Sequence, residues 1–178
     1  MESAIVAIVC IALILFGALT IMDSTMSSMD TVWQASKASQ TLAQDIARTD
    51  ISTVSSNTTS STNTTSVVET VVENNGETQL QDFDEWDVIV QYYDGTGEYL
   101  IKCLPYVESG LSSDEWTVEG IYMDASSGDS EVFEPGIFDP DEEMLIQMEV
   151  SPPVGANTTN LAKVSTPNGV FASATFTR

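Results

Sequence analysis

From Ser3 to Met22 the chain reads SAIVAIVCIALILFGALTIM, twenty residues without a charge. Only Glu2 precedes them after Met1, and the first basic residue does not come until Lys37. At about 1.5 Å per helical residue this run covers roughly 30 Å, the thickness of a bilayer's hydrocarbon core. Its apolar residues, among them Ile5, Ile8, Ile11, Leu13, Ile14, Leu15, Phe16 and Leu19, lie all round a helix. Such a surface suits lipid or burial among other helices, and composition does not choose between them.

Helical periodicity continues past Asp23. Met22, Met26, Met29, Trp33, Ser39, Leu42 and Ile46 recur at three- and four-residue steps, with Asp30, Lys37, Gln44, Asp45 and Arg48 between them. Pro is absent and Gly17 is the one glycine, so the pattern predicts a continuous helix to about residue 50, about 75 Å long. One reading is a signal anchor followed by a juxtamembrane stalk. The other is the N-terminal helix of a type IV pilin-like subunit, whose apolar half resides in the membrane before assembly and in a filament core afterwards, while its amphipathic half packs on the globular head. In that second reading Ile5, Ile8, Ile11, Leu15, Leu19, Met22 and Met26 are the core-packing positions. Pilin-like precursors carry their Lys and Arg in a short leader that a dedicated peptidase removes. The absent basic flank is therefore expected of a processed chain, and gives an intact anchor a poor orientation signal. Met1 reads either as the mature first residue or as an initiator, and Glu2 either as solvated at the membrane edge or as paired with a free amine.

The 178 residues carry a net charge of −22, from 27 acidic and five scattered basic side chains. Without clustered cations a nucleic-acid partner is excluded, because phosphate neutralisation needs them. All but five of the acids lie beyond Asp50, which predicts a strongly anionic, solvated exterior and disfavours adhesion to anionic headgroups. Cys10 lies in the apolar run and Cys103 in a strand-like segment, so an internal disulfide is not expected.

Residues 52–66, STVSSNTTSSTNTTS, contain twelve Ser or Thr. They have little to bury and read as a hydrated linker spanning 51–66, the hinge between a helix at 1–50 and a head at 67–178. Asn57, Asn63 and Asn157 each open an Asn-Thr-Thr sequon, and are candidate glycosylation sites. The head reads as all-β, with runs at 66–73, 87–94, 97–105, 116–124, 143–151, 160–166 and 169–178. Turn signals separate them at Asp94-Gly95-Thr96-Gly97, Asp124 to Gly128 and Asn168-Gly169. The expected fold is α+β, a long N-terminal helix followed by an immunoglobulin-like sandwich. Val88, Val90, Tyr92, Leu100, Trp116, Val118, Leu145, Val170 and Phe176 are expected to face inward, with Trp86, Phe133 and Phe138 as core or loop-anchoring aromatics.

No enzyme is indicated. The chain has no His, no Gly-rich phosphate loop and no Gly-x-Ser-x-Gly elbow, and Cys103, without a His partner, reads as a small buried residue. The acids of DASSGDSE (124–131) and DPDEE (139–143) offer oxygen ligands for Ca2+, although neither fits the EF-hand loop. No other cofactor is implied.

The apolar start, the Met- and Ala-rich continuation and the closing pattern IFDPDEEMLIQMEVSPPVGANTTNLAKVSTPNGVFASATF together resemble an archaellin, the filament subunit of the archaeal motility organelle. Residues 1–50 match that family's helix in character and 137–176 its closing strands in order, whereas 67–136 match only as generic β and Glu2 has no counterpart to transfer. The resemblance implies a self-assembling subunit of an extracellular helical filament. Helices form the filament core, glycosylated heads lie outside, and a processing peptidase and a membrane motor act on the chain. A type IV adhesion pilin and a monomeric membrane-anchored accessory protein or adhesin are the alternative readings.

Overall fold

The computed structural model describes residues 2–131 and 134–178. Met1 and Phe133 lie outside them, as does the Glu2 side chain. The chain divides into two compact units, Met1–Gln44 and Asp45–Arg178. The first unit is helical. Helix α1 runs from Glu2 to Arg48, as the periodicity predicts, and its last turn belongs to the second unit. Ala, Leu, Met and Gln residues favour it, and its threonine hydroxyls are satisfied within the helix. Thr20 donates to Gly17 O at 2.9 Å, Thr25 to Ile21 O at 2.7 Å and Thr31 to Ser27 O at 3.0 Å. An apolar helix can therefore carry these side chains without needing water for them.

The second unit is a two-sheet sandwich. Its strands are β1 (Ile51–Ser61), β2 (Ser66–Asn74), β3 (Asp87–Tyr93), β4 (Tyr99–Leu104), β5 (Glu115–Asp124), β6 (Asp129–Ser130), β7 (Glu143–Val150), β8 (Thr159–Ser165) and β9 (Phe171–Thr177). One antiparallel sheet has the order β1-β2-β7-β5-β6 and the other β4-β3-β8-β9. Alternation decides what each strand buries. In β2 and β7 the cross-strand pairs Val68–Met148 and Val72–Met144 point inward, and Glu69–Gln147 and Glu73–Glu143 point outward. From the second sheet Val88, Val90, Tyr92, Val164 and Phe176 close the core, and Trp116 and Phe138 complete it. Each such side chain contributes about 1.5–3 kcal/mol through burial. Lys102 ties the sheets at one end. Its ammonium, 2.6 Å from Asp114 Oδ2, also donates to Ser151 O, linking β4 to the loop before β5 and to the end of β7.

The turns are built as their residues suggest. Asp94 Oδ1 accepts the Thr96 hydroxyl at 2.7 Å and the Thr96 and Glu98 amides at 2.8 Å, and these bonds, the hydroxyl's first, hold its carboxyl below the usual range. Asp124 Oδ1 does the same with Ser126 and Ser127. Gly169 adopts a φ of 89° and donates to Thr166 O at 2.9 Å, opening β9.

Three expectations are corrected. The Ser/Thr tract is not a linker but contains strand β1, paired along β2 and folded into the hairpin. An edge strand needs few apolar residues when its hydroxyls pair across the ladder. Ser56 meets Thr70 at 2.8 Å and Ser61 meets Ser66 at 2.6 Å, while buried Ile51 anchors the start. Bulges between Thr53 and Ser55 and between Thr58 and Ser60 bend it, and Thr53 donates to Ser173 O of β9 at 3.1 Å. Leu145 faces outward, opposite Val71, because the even positions of β7 supply Met144, Ile146, Met148 and Val150 and the odd ones only Leu145 among Glu143, Gln147 and Glu149. Cys103 is exposed, since β4 turns its odd residues to solvent. The remaining expected inward residues are buried, or half-buried against the core in the case of Leu100, Val118 and Val170.

Candidate functional site

The largest unpaired surface belongs to α1. Ile5, Ile8, Ile11, Leu15, Leu19, Met22 and Met26 are each between 58% and 67% exposed. The apolar surface does not end with the uncharged run. Met29, Val32, Trp33, Leu42 and Ile46 continue it, with Trp33 71% exposed. Covering the seven positions from Ile5 to Met26 is favourable by roughly 10–20 kcal/mol at ordinary values per side chain. The helix is apolar enough to cross a bilayer, with a mean hydropathy of 3.0 in its most apolar window.

A second constellation fixes the helix's last turn within the sandwich unit. The carbonyl of Arg48, which has no partner further along the helix, accepts the Glu77 amide at 2.8 Å, and Asp50 O accepts the Asn75 amide at 2.9 Å. Thr49 Oγ1 donates back to Asp45 O at 2.7 Å and accepts from Asn168 Nδ2 at 2.8 Å. Arg48 lies 3.5 Å from the Glu77 carboxylate, a largely exposed pair that adds little. Gly76 makes the approach possible. A Cβ there would stand 2.6 Å from both Arg48 O and Asp50 N, backbone atoms that cannot swing aside. Buried Asn74 shapes the receiving turn, donating to Thr78 O and Phe138 O and accepting from the Gly76 amide. These residues were not singled out from the sequence, although Asn74-Asn75-Gly76 directly after an alternating strand is a turn signal.

The three sequon asparagines are all exposed. Asn57 lies on β1, Asn63 in the turn between β1 and β2, and Asn157, with φ 58°, in the segment before β8. The acidic turns use their carboxylates internally. Asp124 caps its own turn, and Glu142 accepts the Asp139 amide at 2.9 Å while burial pushes its carboxyl up. Among the described residues no three His, Cys, Asp or Glu side chains gather as a metal site.

An exposed apolar helix ahead of an antiparallel sandwich makes this an α+β chain with a large surface in need of cover. It belongs to the archaeal-type flagellin family, whose profile matches residues 3–176. Among solved structures it is similar to the archaellum periplasmic stator protein FlaG from Sulfolobus acidocaldarius, at 21% identity and a TM-score of 0.48 over 72% of this chain and 99% of that one. It is also similar to the stator protein complex of FlaF and FlaG from the same organism, at 21% identity and a TM-score of 0.49 over 71% and 87%. Among curated proteins none matches.

The Gly76 contact yields a direct expectation. Gly76→Ala forces backbone apart at the junction and is expected to weaken that junction locally by roughly 1–3 kcal/mol, the ordinary cost of overpacking. Hydrogen exchange read by mass spectrometry or NMR is expected to show the Asn75 and Glu77 amides exchanging faster while the β7 amides hold. Unchanged protection at both amides would show that Gly76 does not set this junction.

Proposed function

We propose that the chain is the structural subunit of an archaellum-type filament, assembling through α1 into a helical homopolymer with the sandwich heads outside. The observation that carries this reading is the length over which the helix is apolar and exposed. A bilayer covers about 30 Å, and the 47 residues of α1 correspond to roughly 70 Å. A signal anchor leaves Met29, Val32, Trp33 and Leu42 uncovered, whereas neighbouring helices in a polymer cover them along with Ile8, Leu15 and Leu19. Membership of the archaeal-type flagellin family supports the same reading. Before assembly the apolar half resides in the membrane, and afterwards the filament lies outside the cell, with a leader peptidase and a motor acting on the chain as they do in the family it resembles.

Outside the core, the acidic heads repel sideways aggregation, and the exposed Asn57, Asn63 and Asn157 are proposed to carry N-glycans. Glycopeptide mass spectrometry on native material is expected to find a glycan on at least one of them. Bare peptides at all three remove the glycoprotein proposal and leave assembly untouched.

Leu15→Lys tests the assembly. In a filament each such lysine is buried without a partner, at several kcal/mol per subunit, and the repeat multiplies the cost. In a monomeric anchor one central lysine costs only about 2.5–3.5 kcal/mol on insertion scales. Electron microscopy of sheared material is expected to show filaments from the native chain and none from Leu15→Lys. Normal filaments from the variant would sink the core-packing model.

A further inference from the structure

Asn157 differs from the other two sequon asparagines in what lies beside it. The segment 155–160 is tied at both ends to one residue of β3, Tyr93. At one end the Gly155 amide donates to Tyr93 O at 2.7 Å, and at the other Asn160 Oδ1 accepts the Tyr93 amide at 3.0 Å. Thr158 draws the segment together, donating its hydroxyl to Gly155 O at 2.7 Å. Between these ties Asn157 adopts a φ of 58° and is exposed, as is Thr159, the third residue of its sequon. At most about 7 Å of chain separates Asn157 from Gly155. Tyr93 is itself one of a pair. The β3–β4 register sets it opposite Tyr99, with ring centres 5.0 Å apart and planes tilted by 49°. The two tyrosines are 42% and 49% exposed. Tyr99 donates its hydroxyl to Gln91 Oε1 at 2.8 Å, and the amide nitrogen of Gln91 has no partner among the described residues. The neighbouring positions on the same face, Ile101, Leu161, Thr159 and Thr175, carry no charge.

We infer that an N-glycan on Asn157 folds back over the Tyr93–Tyr99 pair, its first sugar rings stacked on the tyrosines and hydrogen-bonded to Gln91. The inference rests on the glycoprotein proposal above. Attachment replaces one Nδ2 hydrogen of Asn157 with the anomeric carbon of a sugar, and the phosphate of a glycosyl-phosphate donor leaves with the proton. The chemistry of the two surfaces matches. A sugar ring presents C–H bonds on its faces and hydroxyls at its rim, and a tyrosine pair presents apolar ring faces with polar tips. The absence of charge on this part of the face suits a neutral, hydroxylated ligand held against a chain of net charge −22. Position supplies the rest, because the bonds to Tyr93 hold the root of the glycan beside the rings it covers. The other sequons have no such platform. The β1–β2 register sets Asn57 opposite Glu69, and Asn63 lies in the turn that Thr62 and Thr65 close. A glycan seated in this way removes an exposed aromatic patch from the surface of the head.

Hydroxyl-radical footprinting of the full-length chain, purified from the cells that make it and dispersed in detergent so that no neighbouring head covers the face, reads the tyrosines one by one. Asn157→Gln and Thr159→Ala each abolish the sequon through a different residue. Oxidation of Tyr93 and Tyr99 is expected to be several-fold slower in the native chain than in either variant. Phe171, 55% exposed at the far end of the same sheet, is expected to oxidise equally in all three. Equal oxidation of the tyrosines, with a glycan found on Asn157 by mass spectrometry, would overturn the stacking and leave the glycoprotein proposal in place. A difference from only one of the two variants is a local effect of that substitution and equally overturns the stacking. A bare Asn157 beside a glycan on Asn57 or Asn63 removes this inference alone, whereas bare peptides at all three remove both.

Discussion

Helix α1 exposes apolar side chains over a length greater than a bilayer's thickness, and the filament reading rests on the cover that this surface needs. Water is a poor solvent for the surface running from Ile5 to Ile46, and lipid covers less than half of it. In the assembly proposed above identical neighbours would cover all of it, because each copy brings the same surface. The internal satisfaction of Thr20, Thr25 and Thr31 serves the same end, since a helix whose hydroxyls bond its own carbonyls loses nothing when water is removed.

In the assembly proposed above the head has to be held on the helix. It is held by backbone. The Arg48 and Asp50 carbonyls accept amides from the turn after β2, and Gly76 lets the two segments meet. The last turn of α1 is therefore joined to the sandwich by hydrogen-bonded main chain and not by a pliant Ser/Thr tether. Charge is spread unevenly over the head. Most carboxylates of the head have no cation to pair with, and the acids crowd the outward positions of one sheet while sparing the other.

Much of this was legible in the sequence, and the gaps have physical causes. The helix follows from its period and from the lack of Pro. The strands from β2 to β9, the two-residue β6 excepted, follow from alternation between turns whose Asp, Asn and Gly residues are seen closing them. Strand β1 was hidden because its ladder is stabilised by hydroxyl pairs such as Ser56–Thr70, and polarity reads as solvent when composition alone is weighed. Leu145 taken singly suggests the wrong inward phase for its strand, whose other phase holds four apolar residues. The general habit of cysteine points Cys103 inward, against the phase of its own strand. The junction at Gly76 depends on a contact between residues far apart in sequence, which no local pattern encodes.

Tryptophan fluorescence tests the central claim most directly. Of the three tryptophans, Trp86 and Trp116 are buried in the head and Trp33 stands open on α1, beyond the stretch that a bilayer covers. Emission that acrylamide can quench therefore reports Trp33. If α1 is enclosed by neighbouring helices, quenching in sheared native assemblies is several-fold weaker than in subunits reconstituted singly into vesicles. Equal quenching in the two preparations would show that the helix beyond the membrane is not covered by other copies, and would contradict assembly through α1.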